Sequence, residues 1–191
     1  MAPSPVYAAL LHYPVTDRRG DAVTTSVTTL DIHDIARAAR TYGLHKYFVV
    51  TPTEPHHWLV RRIITHWHGG WGTQYNPSRG EALSLIEVAS DLGVVMRAIE
   101  DTHGAPPIFV ATCARRYSNS ISYADLRRRL HDNGPQPYCI LFGTGYGLHP
   151  EVILEADLIL EPIDARTGYN HLSVRSAASI IFDRLLAPGR D

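Results

Sequence analysis

Short apolar runs recur along this chain of 191 residues, separated by stretches in which apolar residues return at helical spacing. The runs are Val6 to Tyr13, Lys46 to Thr51, Ile108 to Cys113, Tyr138 to Phe142 and Asp157 to Ile163. A strand that reads as a nearly unbroken apolar run must be covered on both faces, and helices between the strands supply that cover. The alternation therefore predicts an α/β domain with a mostly parallel sheet and helices on both faces. Ligands of such sheets bind beyond the carboxyl ends of the strands.

The helical stretches carry their own stop and start signals. Leu30, Ile32, Ile35, Ala36 and Ala39 repeat at helical spacing within Thr29 to Tyr42, with Thr29 as the expected cap and Gly43 just past the end. A second helix is expected from Pro55 to Gly69-Gly70, then a loop from Trp71 to Pro77. Between Arg79 and Ala89 a short helix and a strand are expected, and a longer helix from Asp91 to His103. Further helices are expected near Tyr123 to His131 and Pro150 to Glu155, and a last one from His171 to Leu186. Nothing resembles a repeat or an interdomain linker, so residues 1–191 read as one domain.

Composition narrows the class. Hydrophobic residues make up 45% and charged residues 19%, which suits a packed core and not a disordered chain. No apolar run reaches the roughly 18 residues of a membrane-spanning helix, and the first residues lack a secretory pattern, so a cytoplasmic location is expected. Cys113 and Cys139 each sit in an apolar run and read as inert thiols in a reducing compartment. Net charge is −1, yet the basic residues are nearly all arginine, and pairs such as Arg61-Arg62 and Arg115-Arg116 can grip phosphate. On charge alone, solvated helix faces and loops are the plainer account of the same pairs.

The strand Tyr138 to Phe142 runs into Gly143-Thr144-Gly145-Tyr146-Gly147, whose alternate glycines allow a sharp turn with bare amides toward a ligand. Named nucleotide motifs do not fit: a dinucleotide fingerprint would need glycine where Leu148 stands, and no lysine follows as in a phosphate-cradling loop. The pairs His56-His57 and His66-x-His68 have no convincing third ligand, so no metal is expected. His66 and His68 are expected at a wet helix end beside Trp67 and Trp71.

Three stretches taken together resemble the SPOUT methyltransferases, trefoil-knotted enzymes that move a methyl group from S-adenosylmethionine to RNA. The first is Asp31 to Gly43, with Arg37 six residues after Asp31; the second is Leu141 to Leu148; the third is Leu160-Glu161-Pro162-Ile163 followed by Tyr169 to Ser176. Leu-His-Tyr-Pro at 11–14, Leu-Asp-Ile-His-Asp-Ile-Ala-Arg at 30–37 and Asn-His-Leu-Ser-Val-Arg at 170–175 are most similar to a subgroup of small stand-alone members regarded as RNA methyltransferases.

The resemblance implies a deep C-terminal knot, a homodimer and a bent S-adenosylmethionine in the knot. It implies cofactor contacts from Thr112, Leu141, Phe142, Gly143, Thr144, Gly145, Gly147, Leu148, Glu161, Pro162, Ile163, Asn170, His171, Leu172 and Ser173. On the acceptor side it implies Arg37, with Asp31, Asn170, His171 and Ser173 at the reacting group. Two features depart from members that methylate ribose hydroxyls: Asp31 stands where they carry Asn, and Gly145 where they carry Glu. Glu161 has no counterpart in them. A base or another acceptor therefore stays open. The rival readings are a non-catalytic nucleotide-binding module, resting on the glycine loop alone, and methylation of a non-RNA acceptor.

Overall fold

The computed structural model describes residues 3–69, 74–132 and 134–188. Strands β1 (Val6–Leu11), β4 (Tyr47–Val50), β5 (Ile86–Ala89), β6 (Ile108–Ala111), β7 (Tyr138–Gly143) and β8 (Leu158–Ile159) form a sheet in the order β5-β4-β1-β7-β6-β8. Every pairing in it is parallel. β1 lies between β4 and β7, with Ala8 opposite Tyr47 on one side and Ile140 on the other. All six residues of β1 are buried, as a central strand covered on both faces requires.

Helices divide between the two faces. On one side lie α1 (Thr29–Thr41), α2 (Glu54–Gly69), α3 (Pro77–Leu83), α5 (Tyr123–Asp132) and α7 (Val174–Leu186), whose apolar sides join Leu10, Val49, Ile140 and Phe142 in one core. On the other, α4 (Leu92–His103) and α6 (Pro150–Glu155) cover Leu11, Val50, Cys139 and Leu141. Successive residues of β7 therefore face opposite layers, as the pleat of a strand demands.

Capping explains where the helices begin. The cap of α1 is Thr28, one residue earlier than expected, because its extended backbone lets Oγ1 accept from the Asp31 amide. Asp91 Oδ1 accepts from the Val94 amide at 3.0 Å to start α4, and Gly104, at φ 72°, ends it. Arg127, buried between α5 and α7, donates to the carbonyls of Arg184 and Ala187 at the end of α7.

Three expectations need correction. The polar segment after Pro14 holds a small antiparallel ladder, β2 (Val15–Thr16) with β3 (Ala22–Val23), too short for periodicity to reveal. The last helix starts at Val174, not His171, because Ser173 is its cap. The strand expected over Asp157 to Ile163 is only Leu158–Ile159, after which Leu160 makes a single bridge to Ile121. Trp71, expected beside His66 and His68, lies outside the described residues. Among the described residues no helix is long and apolar enough to cross a membrane.

Candidate functional site

A cavity of about 750 Å³ opens at the carboxyl ends of β6 and β7. Its size is in the ordinary range of a small-molecule site. Residues 143 to 148 form one wall, Thr112 to Ala114 a second, and 161 to 174 a third; Thr25, Ser26, Thr28 and Asp31 close it from the start of α1.

The glycine loop is shaped by what it folds against. A Cβ on Gly143 would stand 2.6 Å from the Gly147 carbonyl carbon and closer still to the Leu148 amide, so no side chain fits where the loop doubles back. Gly145 and Gly147 have φ of 60° and 104°, the left-handed region that favours glycine. The loop does not present a row of bare amides, however. The amides of Thr144, Tyr146 and Gly147 donate to the carbonyls of Leu11, Thr16 and Thr144. The turn is thus stitched to the end of β1 and to β2, and what it offers a ligand is mainly its shape.

Most residues expected from the resemblance come together here. Thr112, Phe142, Gly143, Thr144, Gly145, Gly147, Leu148, Glu161, Ile163, Asn170, His171, Leu172, Ser173 and Asp31 all line the cavity. Leu141 does not, because its side chain points into the opposite layer; only its carbonyl takes part, accepting from Thr112 Oγ1 at 2.8 Å. Pro162 is buried and absent from the lining. Arg37 is exposed and also outside it. Six residues turn an α-helix by about 240°, so Asp31 and Arg37 cannot face the same side.

Several of these side chains already hold the scaffold. Ser173 Oγ accepts from the Ser176 amide, and Asn170 Nδ2 donates to the Ala114 carbonyl at 2.9 Å, pinning the third wall to the second. Glu161 Oε1 accepts from the Tyr123 amide at the start of α5 at 3.0 Å, with Arg116 3.5 Å from its other oxygen. His171 stacks edge-on against Tyr169 and is exposed.

Asp31 is the buried charge of the site. Its Oδ2 accepts from Thr28 Oγ1 at 2.6 Å and its Oδ1 from Arg175 Nη1 at 3.0 Å, while Arg175 Nε reaches Asp34 at 3.4 Å. This pair ties the start of α1 to the start of α7 beside the cavity. The Thr-x-x-Asp spacing of Thr28 and Asp31 was a readable sign of the cap; nothing local announced Arg175, which is 144 residues away. Thr25, Ser26 and Tyr123 also line the cavity and carry no local signal. Because Arg175 is about one-third exposed, its pairing is expected to stabilise by only about 1 kcal/mol. A double-mutant cycle of Asp31→Asn and Arg175→Ala by urea unfolding measures that coupling, and a value near zero would dismiss the tie.

The lining fits a nucleoside-linked sulfonium donor. Leu148, Ile163, Leu172 and Ile181 give apolar walls for a base, and the paired Asp31 and Arg175 leave that edge without excess positive charge toward a cationic ligand.

The comparisons with known proteins agree. A family model described as SAM-dependent RNA methyltransferase matches residues 5–187. A protein of Aquifex aeolicus without assigned activity is 42% identical over 97% of this chain and 90% of its own length. A tRNA (guanine-N(1)-)-methyltransferase of Oleidesulfovibrio alaskensis is 42% identical over 95% of this chain, which spans only 42% of that relative's length. The SpoU methyltransferase AviRb from Streptomyces viridochromogenes, solved in complex with AdoMet, shares the fold with a TM-score of 0.59 at 18% identity, over 97% of this chain and 58% of that one. With the family matched over nearly the whole chain, and its motifs gathered around one cavity, the chain belongs to the SAM-dependent RNA methyltransferases.

Proposed function

We propose that this chain binds S-adenosylmethionine in the cavity beyond β6 and β7 and directs its methyl group to a nucleoside of tRNA. The observation that supports it best is the convergence of residues 143–148, 161–163 and 170–174, far apart in the chain, on one cavity that also holds Asp31. The tRNA acceptor is suggested by the Oleidesulfovibrio relative's name, although that activity belongs to a protein more than twice this length.

When bound, the donor supplies an electrophilic methyl carbon on a sulfonium. The chain's own contribution is placement, since displacement at carbon needs donor and acceptor in line. In this reading Thr112, Leu148, Ile163 and Leu172 hold the adenosine, with Pro162 and Leu141 fixing the walls from behind. Asp31, its charge met by Arg175, holds the starts of α1 and α7 together at the edge of the donor cavity. Asn170, His171 and Ser173 stand where the acceptor would approach, and Arg37, facing away from the cavity, acts on the acceptor strand. The acceptor proton leaves as the new bond forms, and His171, exposed beside the cavity, is placed to take it.

The family resemblance further supports a trefoil knot in which the segment carrying α7 threads the loop after β6. A homodimer is supported by exposed apolar residues beside the cavity: Leu30 is 58%, Tyr146 67% and Leu172 46% exposed. A cytoplasmic location is supported by two free cysteines.

The test is transfer of a labelled methyl group from S-adenosylmethionine into a pool of unmodified tRNA and rRNA, with digestion to identify the nucleoside. Label in tRNA is the expected outcome. Micromolar calorimetry that shows no binding of the donor or its demethylated product would remove the reading altogether.

A further inference from the structure

A second concavity, of about 390 Å³, lies on the other side of α1 from the methyl-donor cavity. His33, Arg62, Ile63, Thr65, His66 and Trp67 line it, between α1 and α2. Asp31 and His33 are two residues apart, about 200° around the helix, so α1 is the wall between the two depressions.

The surface around this groove is strongly basic for a chain of net charge −1. Arg62 lines it; Arg79 of α3 lies over the Trp67 ring at 4.9 Å, and both Arg79 and Arg37 bear on His33. Burial and these two guanidiniums hold the His33 imidazole below its usual range. The exposed face of α2 continues the groove. Trp58, Arg61, Arg62, Thr65 and His66 recur there at helical spacing, and all five are exposed, Trp58 by 65%.

The nearby carboxylates offset only part of this charge. Asp34, shared with Arg175, opposes the guanidiniums at His33, Glu81 is engaged by Arg40, and Glu54 stands at the first turn of α2, a turn before Trp58. Among the described residues, Arg37, Arg61, Arg62 and Arg79 form no ion pair. Four guanidiniums without counterions beside an exposed indole match one occupant better than others: a phosphate backbone whose unpaired bases can stack. An acidic protein would satisfy the charge but gives no use for Trp58.

We infer that the face of α2, with the groove it shares with α1 and α3, is the RNA-docking surface of this chain, Arg61 and Arg62 holding phosphates and Trp58 stacking on a base. This rests on the proposed action on RNA and adds where the RNA lies. Strand that crosses α1 from the groove would reach the donor cavity over Arg37.

The experiment measures the affinity of the full chain for a fluorescent unmodified tRNA transcript across a salt series, with donor binding measured separately by calorimetry. The double variant Arg61→Glu/Arg62→Glu is expected to weaken tRNA binding at least about tenfold and to lower the salt slope by about two, with donor binding unchanged. Trp58→Ala is expected to weaken binding several-fold without changing the slope. Arg128→Glu, on the far side of α5, serves as the control for general charge and should change little.

If wild type binds and methylates tRNA while the double variant binds as tightly, the docking surface lies elsewhere and the methyl-transfer reading stands. If wild type binds no RNA at any salt, both fall. Equal weakening by Arg128→Glu, or retained donor binding with a preference for an acidic protein over tRNA, also overturns the inference.

Discussion

Gly143→Ala is expected to destabilise the chain by about 3 kcal/mol and to abolish donor binding, whereas Gly147→Ala is expected to cost about 1 kcal/mol and weaken it modestly. The contrast separates two reasons for glycine in one loop. At Gly143 a Cβ would meet the Gly147 carbonyl carbon at 2.6 Å, with the Leu148 amide nearer still. Those are backbone atoms, held by the bridge of Leu148 to Val15 and by the Thr16 amide on the Gly147 carbonyl. They cannot yield without unpicking the loop from β2. At Gly147 the space is open, with nothing within 4 Å, and the objection is only its φ of 104°. Urea unfolding with calorimetry of both variants decides; equal stability losses would show that crowding at Gly143 is relieved by a shift that leaves the cavity intact.

This same loop shows how far local reading reaches. Strand runs and helix periods were legible because each depends on a few neighbouring residues: Val6 to Leu11 must be buried on both faces wherever it sits in the sheet. Strand order was not, since β1 finds β7 as its neighbour 132 residues on. The cavity walls were named from the resemblance to a family, not from periodicity, and the structure brings most of them together. What local reasoning missed is non-local or backbone-borne. Arg175 meets Asp31 across 144 residues, and Leu141 contributes a carbonyl because its side chain belongs to the other layer. The glycine loop looked like an amide cradle because composition reveals where a turn is allowed, not which carbonyls its amides will meet. Arg37 was grouped with Asp31 by motif spacing, yet helical geometry puts them on different sides.

Acid is expected to destabilise this fold through His12. The residue follows β1, is fully buried, and its pKa is pushed down to about 4, chiefly by burial, with the Asp31 carboxylate opposing that shift. Its Nδ1 is 3.2 Å from Thr25 Oγ1, and Thr25 in turn meets the Thr144 hydroxyl on the cavity wall. Nε2 is buried with no partner, so a proton placed there has nothing to donate to. Because the folded state holds the proton more weakly than the unfolded chain, whose histidine titrates near ~6.5, stability is full above about pH 6.5 and falls as pH drops toward 4. From pH 7 to pH 4.5 this one group is expected to remove about 2 kcal/mol. His33 and His45, also shifted down by burial, act in the same sense. The comparison of wild type with His12→Gln cancels their share. Urea unfolding across that range should give His12→Gln a flatter profile by about 2 kcal/mol, even if it is less stable at pH 7. Parallel profiles would mean that His12 keeps its proton partner in the fold and that the link from Thr25 to the cavity wall does not depend on a neutral ring.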